Sequence, residues 1–158
     1  MKIYVSGSIY GGREKIETYK VIIEALEKYG EVYDKEIIDE DILEKEKFQS
    51  DEEIFNKLEN YLKNIDIVFA EVTVPSLGVG YELGFADQLG KKVIAIYDMN
   101  VVSKVSTMIR GNKRIKLIGY HNISEIINKL DEILEVKWNE KWIKKWWLFF
   151  KCNLKENR

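Results

Sequence analysis

The run Ile65-Asp66-Ile67-Val68-Phe69-Ala70, together with the glycine-rich stretch after it, limits the folds open to this chain more than any other segment. A short, apolar, β-branched run of this kind reads as a buried strand. After it come Glu71-Val72-Thr73-Val74-Pro75-Ser76-Leu77-Gly78-Val79-Gly80-Tyr81-Glu82-Leu83-Gly84, and then Leu83, Phe85, Ala86 and Leu89 recur at helical spacing. The stretch is therefore a strand-to-helix turn, the place where open α/β sheets bind ligands. Pro75 is the only proline of the chain, and Ser76 stands where an N-cap is expected. Gly78 and Gly80 let a ligand approach the backbone, and free N–H groups at a helix start suit a phosphate. Glu82 falls in the first or second helical turn, where the dipole favours an ionised carboxylate and keeps it available as a nucleophile. A glutamate that only complements the dipole fits the same position, and spacing alone leaves both readings open. Gly78-Val79-Gly80 is followed by Gly84 and not by a glycine at 83, so it is no nicotinamide fingerprint.

The rest of the chain repeats the same unit. Lys2 to Val5 reads as a first strand, followed by the glycine- and hydroxyl-rich loop Ser6-Gly7-Ser8-Ile9-Tyr10-Gly11-Gly12-Arg13 and a helix over about 13–29. The loop lacks the lysine of a P-loop, which disfavours nucleoside triphosphate hydrolysis. Glu31-Val32-Tyr33 is a short second strand, and the charged segment from Asp34 to Ser50 reads as a lid or a solvated connection. Ser50-Asp51-Glu52-Glu53 has the form of a capping box and opens a helix carrying Ile54, Leu58, Tyr61 and Leu62. Lys92 to Tyr97 is a fourth strand, Val105 to Gly111 a short helix, Ile115 to Ile118 a fifth strand. Ile123 to Val136 is a closing helix opened by Asn122 or Ser124. Strands alternating with helices in this way predict an α/β fold with a three-layer, five-stranded parallel sheet.

A chain of 158 residues, 46% of them hydrophobic, suits one main domain with a sizeable core. The first apolar run, Ile3-Tyr4-Val5, is too short for a secretory signal, and no stretch of about 18 uncharged apolar residues occurs, so a cytoplasmic protein is expected. One cysteine, Cys152, excludes an internal disulfide, and the single histidine, His121, leaves no His/Cys set for zinc. Charge is unevenly spread. Residues 137–158 carry seven Lys or Arg against two Glu, and the body before them 18 against 25, so the body is near −7 and the tail near +5. An acidic body argues against nucleic acid as a partner. The tail, with Trp138, Trp142, Ile143, Trp146, Trp147, Phe149 and Phe150 among lysines, reads as an extra aromatic, basic amphipathic helix. It would serve either peripheral membrane contact or packing on the body or a second subunit. Two segments are expected: 1–136, which holds the alternating units, and 137–158.

Three groups of residues carry a resemblance: Tyr4-Val5-Ser6-Gly7-Ser8-Ile9 with Gly11-Gly12-Arg13; Ala70-Glu71-Val72-Thr73 with Pro75 to Gly84; and Ser106 with Thr107-Met108-Ile109-Arg110-Gly111. From residue 3 to about 135 the chain resembles the 2'-deoxynucleoside 5'-phosphate N-hydrolases, of the nucleoside 2-deoxyribosyltransferase-like superfamily. The middle group is the most specific. The resemblance implies a homodimeric, flavodoxin-like catalytic domain with shared active sites. It would cleave the N-glycosidic bond of a nucleoside 5'-monophosphate without metal or organic cofactor. It makes Glu82 the nucleophile and Tyr4 the hydroxyl that orients it. Gly7, Ser8, Ile9, Ser76 and Gly78 would line the sugar-phosphate, within a binding set that takes in Tyr10, Gly11, Gly12, Arg13 and Glu36. Ser106, with Thr107 and Met108, would reach the phosphate of the neighbouring subunit's ligand. This chain departs from the family in having Leu58 where an aspartate commonly places the nucleoside and protonates the leaving base. It has Glu36 in place of a histidine, and Tyr10 in place of an arginine found in some relatives. Glu36 and Glu59 are the nearby carboxylates, although one helical step turns Glu59 by about 100° from Leu58. A deoxyribosyltransferase, and a nucleotide-binding or sensing module without turnover, are the alternatives; Leu58 motivates the second.

Overall fold

The structure, a computed structural model, describes residues 1–101 and 105–136. It divides into two compact units, Met1–Ile127 and Asn128–Arg158. The first unit holds five strands: β1 (Lys2–Ser6), β2 (Glu31–Tyr33), β3 (Ile67–Glu71), β4 (Lys92–Asp98) and β5 (Ile115–Tyr120). They form one sheet in the order β2-β1-β3-β4-β5, every pair parallel. This is the doubly wound flavodoxin-like order, and it agrees with the fold expected from the sequence. The helices of this unit are α1 (Ile16–Leu26), α2 (Ile42–Glu46), α3 (Asp51–Asn64), α4 (Leu77–Gln88), α5 (Thr107–Gly111) and α6 (Ile123–Ile127).

Side-chain alternation along the strands builds the two outer layers. Tyr4, Val68, Ala70, Val93 and Ala95 share one face, where they pack with Leu62 at the end of α3 and with Val79, Leu83 and Ala86 of α4. Ile3, Val5, Phe69, Ile94 and Ile96 point the other way and are buried, as are Tyr19, Ile22, Ile23 and Leu26 of α1. The register pairs Tyr4 with Val68 and Ser6 with Ala70, which places the end of β1 beside the end of β3.

Three local expectations change. The first helix starts at Ile16, not at 13, because Gly12 takes φ 138° and residues 13–15 close a turn in which Ile16 N–H donates to the Arg13 carbonyl at 3.1 Å. The segment 34–50 is neither featureless nor a plain connection: it holds a 3₁₀ turn over Lys35–Ile38 and α2, with Ile37 and Ile42 buried. The closing helix is two pieces, α6 and, in the second unit, α7 (Leu130–Leu134), interrupted at Asn128, a residue of low helix propensity. Asn122 is the side chain that opens α6, its Oδ1 accepting from Ser124 N–H at 2.9 Å. The aromatic, basic tail lies outside the described residues, and no described helix is long and apolar enough to cross a membrane.

The capping box is present. Ser50 Oγ accepts from Glu53 N–H at 3.2 Å, and Glu53 Oε2 accepts from Ser50 N–H at 2.7 Å. Replacing Ser50 by Ala removes one acceptor from the start of α3 and is expected to cost about 1 kcal/mol of stability, read as a lower urea midpoint with an unchanged slope.

Candidate active site

From β1 the chain turns outward to β2, and from β3 it turns the other way to β4, so the loops after these two neighbouring strands part and leave a crevice at their carboxyl ends. A cavity of about 760 Å³ occupies it. The loop after β1 contributes Gly7, Ile9, Tyr10 and Gly11, the β3–α4 connection contributes Pro75 and Ser76, and the first turn of α4 contributes Gly78. The two loops touch: a Cβ on Gly11 would collide with the Pro75 carbonyl and with Ser8 Oγ, so glycine is required there for close approach.

Glu82, in the second turn of α4, lines the cavity. Period two sends Tyr4 and Ser6 to the same face of β1, toward this helix. The buried Ser6 hydroxyl donates to Glu82 Oε2 at 2.5 Å. Tyr4 is buried, and its hydroxyl donates to Asp34 Oδ2 at 3.2 Å while also acting as a hydrogen-bond partner of Glu82. Tyr4 thus joins two carboxyl groups. Burial pushes Glu82 up to about 8; the hydrogen bond from Ser6 opposes that shift, the charge of Asp34 adds to it, and the Tyr4 hydroxyl opposes it only when its one O–H turns from Asp34 to Glu82. From the sequence, the helix dipole is expected to keep Glu82 ionised. In the structure desolvation acts against that effect, since the dipole acts mainly within the first turn and Glu82 lies one turn further in.

Asp34 directly follows β2 and takes a left-handed conformation with φ 62°. Burial lifts its carboxyl to about 6, against the Lys57 ammonium and the Tyr4 hydrogen bond. Neither Ser6 nor Asp34 is among the site residues that the sequence singles out. Ser6 is readable from its two-residue offset from Tyr4, and Asp34 from its place at the carboxyl end of a strand beside β1.

The structure gathers Tyr4, Gly7, Ile9, Tyr10, Gly11, Glu36, Ser76, Gly78 and Glu82 around the cavity. Ser76 caps α4, its Oγ accepting from Val79 N–H at 3.4 Å. Tyr10 is exposed and donates to Glu46 Oε2 at 2.6 Å, and Glu36 is paired with Lys57. Leu58 stands in the wall and packs against the core, whereas Glu59 is outside it, paired with Lys63 at 2.9 Å. Ser8, Gly12 and Arg13 do not line the cavity. Ser8 is fully buried with its N–H donating to the Tyr19 hydroxyl at 3.0 Å, and Arg13 donates to the Asp39 carbonyl at 2.7 Å. Ser106, Thr107 and Met108 are likewise absent from the wall. They start α5, where the Ser106 Oγ accepts from Met108 N–H at 3.3 Å, and all three are exposed. Among the described residues no group of three His, Cys, Asp or Glu is placed to hold a metal ion.

A carboxylate shielded from bulk water, oriented by two hydroxyls and facing a cavity that ends at a helix start, suits attack on an electrophilic carbon of a ligand whose anionic end rests on that helix. The sequence pattern of the nucleoside 2-deoxyribosyltransferase family matches residues 3–121. A Thermofilum pendens protein carrying the provisional name 2'-deoxynucleoside 5'-phosphate N-hydrolase 1 is 35% identical over 136 residues, covering 85% of this chain and 95% of that protein. The 5-hydroxymethyl-dUMP N-hydrolase of Rattus norvegicus is 38% identical over 138 residues, with 84% of each chain covered. Among solved structures, the Clostridium botulinum CMP N-glycosidase BcmB superposes with a TM-score of 0.61 at 24% identity, over 84% of this chain and 98% of that one, a likeness of fold.

The raised Glu82 has a consequence for stability. The folded chain keeps a proton that the unfolded chain releases near pH 4.5, so this group's contribution is most favourable below that pH and declines as pH rises toward about 8. Glu82→Gln abolishes this dependence. The variant is expected to gain on the wild type between pH 5 and pH 8.5 by about 1 kcal/mol or more, measured from urea midpoints at the two pH values.

Proposed function

The chain belongs to the nucleoside 2-deoxyribosyltransferase family, and from that premise we propose that it is a nucleoside 5'-monophosphate N-hydrolase, releasing free base and (deoxy)ribose 5-phosphate. The observation that carries the reading is the Glu82 carboxyl in the cavity wall, held by the Ser6 hydroxyl with Tyr4 beside it, and the Ser76-capped start of α4 in the same wall. Cleavage of the bond between sugar and base builds positive charge on the sugar ring. A carboxylate beneath the anomeric carbon stabilises that charge and then traps the sugar as an ester, which water opens. The 5'-phosphate rests on the N–H groups at the start of α4, with Gly7 and Ile9 on the opposite side, and this remote binding aligns the reacting carbon. Tyr4 and Ser6 orient Glu82 and share its charge as it ionises. A nucleotide substrate fits a cytoplasmic enzyme, since such anions do not cross membranes unaided.

The reading is tested by incubating the protein with a panel of nucleoside monophosphates and assaying released base. Transfer of sugar to added base would point to a transferase, and binding without release to a sensing module. Glu82→Gln is nearly isosteric and removes the anion that acts at the transition state. It is expected to keep nucleotide affinity and lose at least about three orders of magnitude in turnover, roughly 4 kcal/mol. Base release close to wild type would sink the assignment of Glu82.

The active site is further proposed to be completed by a second copy of the chain. Ser106 to Met108 are exposed on α5 and absent from the cavity wall of their own chain, and a two-fold dimer would carry them to the partner's ligand. In a mixture of Glu82→Ala and Ser106→Ala chains exchanged at random, roughly a quarter of the sites would hold both intact residues. Activity is expected to rise accordingly above either parent. If it stays at the parental level, or if the protein is a monomer at working concentration, sharing is refuted.

A further inference from the structure

A leaving nucleobase needs a proton, and the wall position expected to supply one is Leu58. We propose that Asp34, at the carboxyl end of β2, is the general acid that protonates the departing base, an assignment that rests on the N-hydrolase reading above.

Four observations meet at this residue. Asp34 lines the same cavity as Glu82. Both carboxyls act on the Tyr4 hydroxyl, which donates to Asp34 Oδ2 at 3.2 Å and is coupled to Glu82, so the two groups face the same part of the cavity. The other carboxyls of the wall are engaged or remote: Glu36 is bound to Lys57, Glu46 accepts from Tyr10, and Asp51 is exposed at the first position of α3. Asp34 also holds a left-handed backbone conformation with φ 62°, which few non-glycine residues adopt, and such positions gather at functional sites.

The chemistry balances over two steps. In the first, a Glu82 oxygen bonds to the anomeric carbon while the C–N bond breaks. Its electron pair goes to the base, and the proton of the Asp34 carboxyl passes to a ring nitrogen or carbonyl oxygen of that base. In the second, water adds to the anomeric carbon, the ester bond to Glu82 breaks, and the Asp34 carboxylate takes the proton that water loses. The groups acting on Asp34 are Tyr4 from β1, Lys57 from α3, Glu36 from the 3₁₀ turn and Glu46 from α2; Lys57 and Tyr4 favour the anion, and the two glutamates disfavour it. The pair shares one proton, which burial leaves on Glu82 before substrate binds; as positive charge builds on the sugar the ionised Glu82 is favoured, the proton passes to Asp34, and the repulsion between the two carboxylates is avoided.

The test compares leaving groups. Asn is nearly isosteric with Asp and tolerates the left-handed backbone, so Asp34→Asn should fold, which its melting temperature and its affinity for a nucleoside monophosphate will check. Two substrates are used: a nucleoside monophosphate that the wild type hydrolyses, and 4-nitrophenyl 2-deoxyriboside 5-phosphate, whose leaving anion needs no proton. The variant is expected to lose about 100-fold or more in base release and less than about 5-fold in nitrophenolate release. Equal losses on both substrates would make Asp34 a positioning residue and overturn the proposal, as would undiminished base release. A wild type that releases neither base nor nitrophenolate would instead bring down the N-hydrolase reading itself.

Discussion

A carboxyl placed at the margin of a hydrophobic core needs donors fixed in advance, and the contact from the buried Ser6 hydroxyl to Glu82 at 2.5 Å supplies one that the rest of the site depends on. Its position is a matter of register. Tyr4 lies opposite Val68 and Ser6 opposite Ala70 in the parallel ladder, so both hydroxyls point to the α4 side. A slip by one residue would present Val5 and Gly7 instead and leave the carboxyl without its hydroxyl partners. The apolar residues that fix the register, Ile3, Val5, Ile67 and Phe69, are thus as much a part of the site as the polar ones.

The connection that carries the cavity's helix is braced from the opposite face. Alternation along β3 sends Glu71 away from the cavity, where it is buried and accepts from the Tyr120 hydroxyl at 3.1 Å and from the Thr73 hydroxyl. Thr73 Oγ1 accepts in turn from Asp98 N–H at 2.8 Å, and Asp98 pairs with Lys15 at 2.6 Å. Burial raises the Glu71 carboxyl, while the bonds from Thr73 and Tyr120 lower it. These contacts tie the end of β3 to β4, to β5 and to the approach to α1, so the turn through Pro75 to Ser76 leaves from a fixed point. Two carboxyls close in sequence, Glu71 buried and Glu82 half-buried in the cavity wall, therefore do different work: Glu71 holds the frame, and Glu82 faces the ligand space.

The architecture was legible because its signals are local. Apolar runs of strand length, glycine turns and a capping box at Ser50 each report on a few neighbouring residues, and all agreed on the α/β order. The middle stretch likewise gave Ser76 as a cap and Glu82 as the cavity carboxyl. What stayed hidden depends on pairing across the sheet. Asp34 reads as the first polar residue of a charged connection until β2 is known to lie beside β1, and Ser6 reads as part of a phosphate-type loop until Glu82 is known to meet it. The desolvation of Glu82 is hidden for a related reason: the dipole can be read from a helix start, but desolvation depends on how many distant side chains close over the group. Ser8 shows the converse, a hydroxyl in the right motif that packing sends to the interior.

Moving the second carboxyl from a helix to a strand end changes how its position is controlled. A side chain on α3 reaches the cavity only as accurately as that helix packs on the sheet. Asp34 follows Tyr33, which is paired with Tyr4 in the ladder, so the distance from Asp34 to the Tyr4 hydroxyl is set by neighbouring strands about 4.8 Å apart and by one backbone conformation. The left-handed turn at Asp34 is the local cost of that arrangement, and aspartate is among the few residues that bear it. Leu58 is then released to serve the core with Tyr61 and Tyr33, where a carboxylate would need a partner of its own. Under the proposal made for Asp34, the apolar residue at 58 and the carboxyl at 34 are complementary: the proton donor sits beside the strand that carries the hydroxyls acting on Glu82, and position 58 serves the core.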